Sequence, residues 1–270
     1  LRRRWVLGAS YKNDQFQQGM SQNVIPLDHI FRSFGQISGE QKRTMLERYS
    51  AYIERQWFTG LSTRFSVFRD RFTPLQDDFR IRSGIDTLNA DNFTAGGFKF
   101  NTRFAFGEDE LPATFDQVDR GFFFRKYPMI SLEVAVGIKD FLNSDFNYQH
   151  YKLKLEYQVK ANKAGYLNIL AEGGIINGNL PYQLLHVPDG NPLVFNDDHG
   201  FNLMNYMEFV SDKYVSLQLE HHFNGLLFNL IPGVRKAKLR SLLIGKVYFG
   251  TLTNQNNRYL LANNMEVMKH

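Results

Sequence analysis

Residues 200–223 read GFNLMNYMEFVSDKYVSLQLEHHF. After Gly200 an irregular segment passes, with no further Gly or Pro, into strict alternation. Val215, Leu217, Leu219 and Phe223 take one side, and Ser216, Gln218, Glu220 and His222 the other. That period of two belongs to a β-strand with one oily and one charged face.

Outward from this stretch the same period recurs. Upstream, Tyr151, Leu153, Leu155, Tyr157 and Val159 alternate with Lys152, Lys154, Glu156, Gln158 and Lys160, and Ile130 to Ile138 alternates with Ser131, Glu133 and Lys139. Phe98, Phe100, Thr102, Phe104 and Phe106 share a face opposite Lys99, Asn101, Arg103 and Ala105. Strands are also expected at 4–14, 44–57, 59–72 (with imperfect alternation), 166–178 (bending at Gly173-Gly174) and 239–251. A short helix at 27–35, an acidic loop at 107–119 and a long irregular excursion at 179–213 fill the connections. An excursion of that length among short turns is functional or anchored. Its apolar residues, among them Leu184, Leu185, Val187, Met207 and Phe209, are too many to leave in water, so it is expected to pack into or across the sheet.

With 43% hydrophobic and 22% charged residues the chain is no disordered polymer, and its 25 Phe and 13 Tyr favour β. The net charge of +5 comes from cations scattered singly along strands. That distribution argues against a nucleic-acid groove, and no nucleic-acid partner is expected. No cysteine is present, so disulfides and thiolate metal sites are excluded. No window is long and apolar enough for a membrane helix, so a membrane-spanning form must be a barrel. Strands of about 10 residues whose faces are oily outside and charged inside carry the signature of a membrane barrel. A soluble sandwich also alternates, but the long Lys and Arg side chains and the aromatics near strand ends (Phe106, Tyr127, Tyr148, Tyr166, Tyr214) favour two aromatic girdles.

The run FNLMNYMEFVSDKYVSLQLEHHFNGLLFN, with the Pro232 turn and basic residues after it, resembles the C-terminal barrel of a Bacteroidota outer-membrane family. In that family a carboxypeptidase-regulatory-like domain precedes a barrel similar to the BamA and TamA superfamily. The resemblance implies an all-β, antiparallel transmembrane β-barrel: residues 1–270 as one domain, incomplete at both ends, from a barrel of about 16 strands, with 179–213 as a long inserted loop. It also implies the bacterial outer membrane as location, outer-membrane lipid and lipopolysaccharide as surroundings, and other envelope proteins as partners. The superfamily's Val/Ile-Arg-Gly-Phe/Tyr loop lock is absent before Tyr214, and the nearest string, Asp119–Phe122, precedes a different strand. Another anchor is therefore expected, with Asn202, Asn205, Glu208 and Asp212 paired to interior Lys or Arg.

Chemistry is sparse. Adjacent His221 and His222 point to opposite faces and cannot share one ion. Asp189, Asn191, Asn196, Asp197, Asp198 and His199 lack the spacing of a known Ca²⁺ loop. Ser216 and His222 share a face but lie too far apart to bond. No GxSxG, phosphate-loop, GxGxxG or HExxH pattern occurs. The chain is expected to be non-enzymatic and to need no cofactor or metal. What remains is a polar network facing inward: Lys99, Arg103, Glu133, Lys152, Lys154, Glu156, Glu172, Gln218, Glu220 and Lys246. Three functions stay open: a barrel for outer-membrane biogenesis or anchoring, a porin-like or transporter channel for a small solute, and a soluble β-rich binding module. An insert folded inward favours the first, and one lying outside favours the second.

Overall fold

The computed structural model describes residues 5–16, 18–19, 44–58, 60–75, 92–106, 127–190, 200–226 apart from 206, 228, 236 and 239–257. The expected helix at 27–35, the acidic loop at 107–119, the string at 119–122 and residues 191–199 of the excursion lie outside these.

Nine strands form one antiparallel sheet in sequence order: β1 (Trp5–Phe16), β2 (Thr44–Phe58), β3 (Leu61–Pro74), β4 (Phe93–Ala105), β5 (Met129–Gly137), β6 (Tyr148–Lys160), β7 (Tyr166–Asn177), β8 (Lys213–His222) and β9 (Leu242–Thr251). The fold is all-β, and β1 and β9 are its outermost strands. Each strand pairs with the next, and β2–β3 and β6–β7 are joined by short connections. Gly60, at φ 96°, takes the left-handed turn conformation that glycine adopts without strain.

Pairing fixes which side chains share a face. Leu153 stands opposite Leu132 and Gly173, Leu217 opposite Ala171 and Val247, and Phe100 opposite Phe65 and Val134. This outward face is apolar and uncovered: Leu153 is 52% exposed, Val215 59% and Phe249 61%. Along β6 its run from Tyr151 to Val159 spans about 26 Å at ~3.3 Å per residue. On β2, β3 and β8 the outward charged residues Glu47, Arg69, Arg71 and Lys213 lie towards one end of the sheet.

The inner face is divided. Towards that same end it is dry, with Leu46, Phe68, Phe72, Phe93, Tyr148 and Ile176 from five strands forming one cluster with Leu180, Tyr182, Leu185, Val187, Met207 and Val210 of the 179–213 insert. Phe68 and Phe72 thus turn inward to meet the insert, which accounts for the imperfect alternation of β3. The other half of the inner face is charged.

One expectation needs correction, that of the aromatic girdles. The ladders of β7 with β6 and β8 run through Gly173 and Gly174 unbroken, and the irregularity in register sits at Gln56/Phe58. Gly174 is there for space, because a Cβ on it would come within 2.6 Å of the Tyr214 ring. The same pairing of glycine with an inward tyrosine directly opposite occurs at Gly8 with Tyr52 and Gly137 with Tyr148. An aromatic ring laid over glycine restores the cover that the missing side chain removes. Tyr148 and Tyr214 are therefore buried inside rather than standing in an outer girdle, since they share the parity of Lys152 and Ser216. Phe106 and Tyr127 remain outside, edge to face at 5.1 Å.

Removing the ring should cost far more than removing its hydroxyl. Tyr214→Ala is expected to destabilise by about 3 kcal/mol, and Tyr214→Phe, which loses only the bond to Glu172, by about 1 kcal/mol. Urea titration measures both, and equal costs would contradict the glycine-covering role.

Candidate functional site

The inner face gathers the charged side chains that alternation sends away from the oily side. Lys99 meets Glu133 at 3.2 Å, and Asn101 donates to the same carboxylate at 2.9 Å. Lys152 meets Glu172 at 2.9 Å, and the Tyr214 hydroxyl joins that carboxylate at 3.2 Å. Lys154 and Glu156, two apart on β6, pair at 2.9 Å, and Gln158 donates to Asn168 at 2.6 Å. Glu220 bonds His222, whose ring stacks on Tyr166 at 4.3 Å. Arg103 is buried on the same face. Gln218 stands opposite Leu170 and Lys246. Cross-strand pairs of opposite sign are the normal stabilising unit of a sheet face.

Two further pairs escaped the sequence reading, although the parity of β2 and β3 contains them. Arg48 clasps Asp70 with two bonds of 2.7 and 2.6 Å, and Arg64 holds Glu54 at 2.8 Å while lying over the Tyr52 ring. The signal was present in the alternation of Arg48, Ser50, Tyr52 and Glu54. What hid it was the lack of any reference for which face of β2 is inward.

The insert is held differently from expectation. Glu208 accepts from the Asn205 backbone at 2.8 Å, a local turn, and Asn202 is exposed. Asp212 is fully buried, and among the described residues it takes no lysine or arginine. Its carboxylate accepts from the Thr253 amide (2.9 Å), the Thr253 hydroxyl (2.6 Å) and Asn256 (3.1 Å), residues that follow β9. Hydrogen-bond donors of the backbone and of neutral side chains stand in for the expected cation. One interior lysine that reaches the insert is Lys246, which donates to the Gly200 carbonyl at 2.7 Å. At the other border Gln18 donates to the Leu185 carbonyl at 2.5 Å, and Gly190 donates to Gly19 at 3.1 Å.

Beneath the insert, His186 lies face to face with Tyr214 at 3.5 Å and parallel to Tyr248 at 5.9 Å, and the Tyr248 hydroxyl bonds Ser211. Burial, seconded by Lys152 and His150, holds the His186 imidazole well below its ordinary value, hence neutral. No alternating pattern announces His186, which lies outside the strands. His221 and His222 take opposite faces, His221 reaching the Ala164 carbonyl. Among the described residues no group of three His, Cys, Asp or Glu side chains could hold a metal ion. Of the oxygen-rich candidates in the excursion, only Asp189 is among the described residues. The arrangement can hold an insert in place and neutralise an interior.

Residues 46–260 match the C-terminal domain of a family of unknown function (DUF5686). The chain belongs to that family. The match runs from β2 through β9, so the DUF5686 C-terminal domain takes in the insert and every ion pair just described. No curated protein matches the chain.

Because His186 is neutral when packed, acid should loosen the insert. Above about pH 6.5 neither the packed nor the released segment binds a proton at this residue; below it the released histidine does and the packed one does not. The stabilisation is therefore complete above about pH 6.5 and declines as pH falls towards the lower packed value. Expressed as protection factors, which remove the intrinsic slowing of amide exchange in acid, the protection of Leu185–Val187 and Met207–Val210 should fall on acidification in the wild type and much less in His186→Phe. An identical pH dependence in both would remove His186 from this role.

Proposed function

We propose that this chain is the membrane-embedded part of an integral outer-membrane protein: a transmembrane β-barrel, non-enzymatic, that serves outer-membrane biogenesis or anchors an envelope complex. The observation that carries the reading is the outward belt. Large apolar side chains recur on it from Leu7 on β1 to Phe249 on β9 and stand uncovered, while the charges of the same strands are paired on the other face. An exposed apolar surface running across a whole sheet needs a non-aqueous partner, and lipid supplies one to a barrel that hides its polar face. Aromatic residues at one end of the belt, Trp57, Phe106 and Tyr127, suit a membrane–water boundary.

The similarity to a Bacteroidota family with a carboxypeptidase-regulatory-like domain, and through it to the BamA and TamA superfamily, supports biogenesis or anchoring over transport. So does the insert, which covers the inner face at one end with Leu180, Tyr182, Leu185 and Met207 and leaves the remaining interior neutralised pair by pair. A porin-like channel would need a conduit there. On this reading the barrel's surroundings are outer-membrane lipid and lipopolysaccharide, its partners are other envelope proteins, and neither cofactor nor nucleic acid takes part.

The protein should fractionate with outer membranes and leave them only in detergent. Within the belt, Leu155→Arg should destabilise by roughly 2–4 kcal/mol near the membrane centre, whereas Lys154→Gln costs far less. Deleting Leu184–Phe201 should raise single-channel conductance in planar bilayers substantially. A wild-type pore already open and unchanged by the deletion would turn the assignment to a channel.

A further inference from the structure

The chain contains two tryptophans, Trp5 and Trp57, and the fold brings them together. Trp5 opens β1 directly opposite Arg55 of β2, and Trp57 follows Arg55 by two positions on the same face. The guanidinium carbon of Arg55 is 4.6 Å from the centre of the Trp5 ring and 3.9 Å from that of Trp57. The Trp57 indole N–H donates to Thr63 at 2.9 Å, which fixes its ring. All three side chains continue the outward face of Leu7 and Ile53, close to the 59–60 hairpin where the apolar belt ends.

Among the described residues Arg55 has these rings and no anion. Glu54, its neighbour in sequence, points to the opposite face and is taken by Arg64. Among the described residues nothing accepts a hydrogen bond from Arg55, and its Nε is buried without a partner. A guanidinium carries its donors in its own plane, so stacking on aromatic rings leaves the edge open to an oxyanion. Tryptophan itself prefers the boundary between lipid and water. A lone cation beside an apolar belt is costly unless its surroundings provide the counter-charge.

We infer that Trp5, Arg55 and Trp57 form a binding site for the phosphate of a membrane-lipid headgroup. The terminal Nη groups of Arg55, not its buried Nε, take two phosphate oxygens, while the indoles lie along the glycerol and the first methylenes of the chains. The inference rests on the membrane-embedded reading above and adds to it a particular ligand chemistry at a particular corner of the sheet.

Because both tryptophans belong to the site, tryptophan emission of the full chain reports on it alone. Wild type, R55Q and R55K are first mixed with phospholipid vesicles and sedimented. Failure of all three to sediment overturns the membrane reading and the site with it. Protein folded in maltoside micelles, which contain no phosphate, is then titrated with phosphatidylglycerol, diacylglycerol or inorganic phosphate. Wild type should give a saturable emission change with phosphatidylglycerol and none with the other two at equal concentration. R55Q should need about tenfold more lipid, and R55K, which keeps the charge without the planar fork, should fall between and covers the case in which R55Q does not fold. The same response to diacylglycerol, saturation by inorganic phosphate alone, or a wild-type midpoint in both variants would overturn the site while leaving the membrane reading intact.

Discussion

Once Leu, Val and Phe occupy the outward side of β4 to β8, the two-residue period turns the lysines and glutamates that alternate with them inward. A carboxylate turned into a sheet interior without a partner is strongly destabilising. Glu133 therefore has Lys99 and Asn101, and Glu172 has Lys152 and Tyr214. The apolar exterior and the paired interior are one constraint seen from two sides, and neither arrangement survives without the other. Arg48, Arg64, Lys99 and Lys152 each sit against a carboxylate of a neighbouring strand.

The constraint stops where the insert begins. At that end the inner face carries Phe68, Phe72, Phe93 and Tyr148 in place of charges, and the insert covers them with its own apolar residues. His186 marks the border, neutral and stacked, with Lys152 and Glu172 on one side and the dry cluster on the other. Two solutions to the same problem, ion pairing and hydrophobic cover, divide one interior between them.

Alternation made most of this legible. Every strand from β4 onward can be placed from its period of two, and each of the ten inward polar candidates lies on the charged face. Four things were hidden, each for a physical reason. Tyr148 and Tyr214 stand near strand ends, where a boundary ring and an inward ring look alike until parity is counted from a lysine. That these rings cover Gly137 and Gly174 was hidden because a single strand does not disclose what its neighbour lays across it. Asp212 was assigned a cation because buried carboxylates usually take one; its partners, Thr253 and Asn256, lie some forty residues on in the sequence and nothing local points to them. Arg55 was invisible for the opposite reason, since its meaning depends on two indoles that only strand pairing brings together.

The bonds at the two borders of the insert have a mechanical side. Gln18 and Gly19 follow β1, Thr253 and Asn256 follow β9, and all four are tied to the insert. The insert thus lies as a chord across the arc of the sheet, joining the strands at its two extremes. Flattening the arc stretches the chord, and cutting the chord lets the arc relax. By the reciprocity of coupled equilibria, anything that draws β1 and β9 apart lowers the affinity of the sheet for its own insert, and anything that withdraws the insert makes the two strands easier to separate by the same factor.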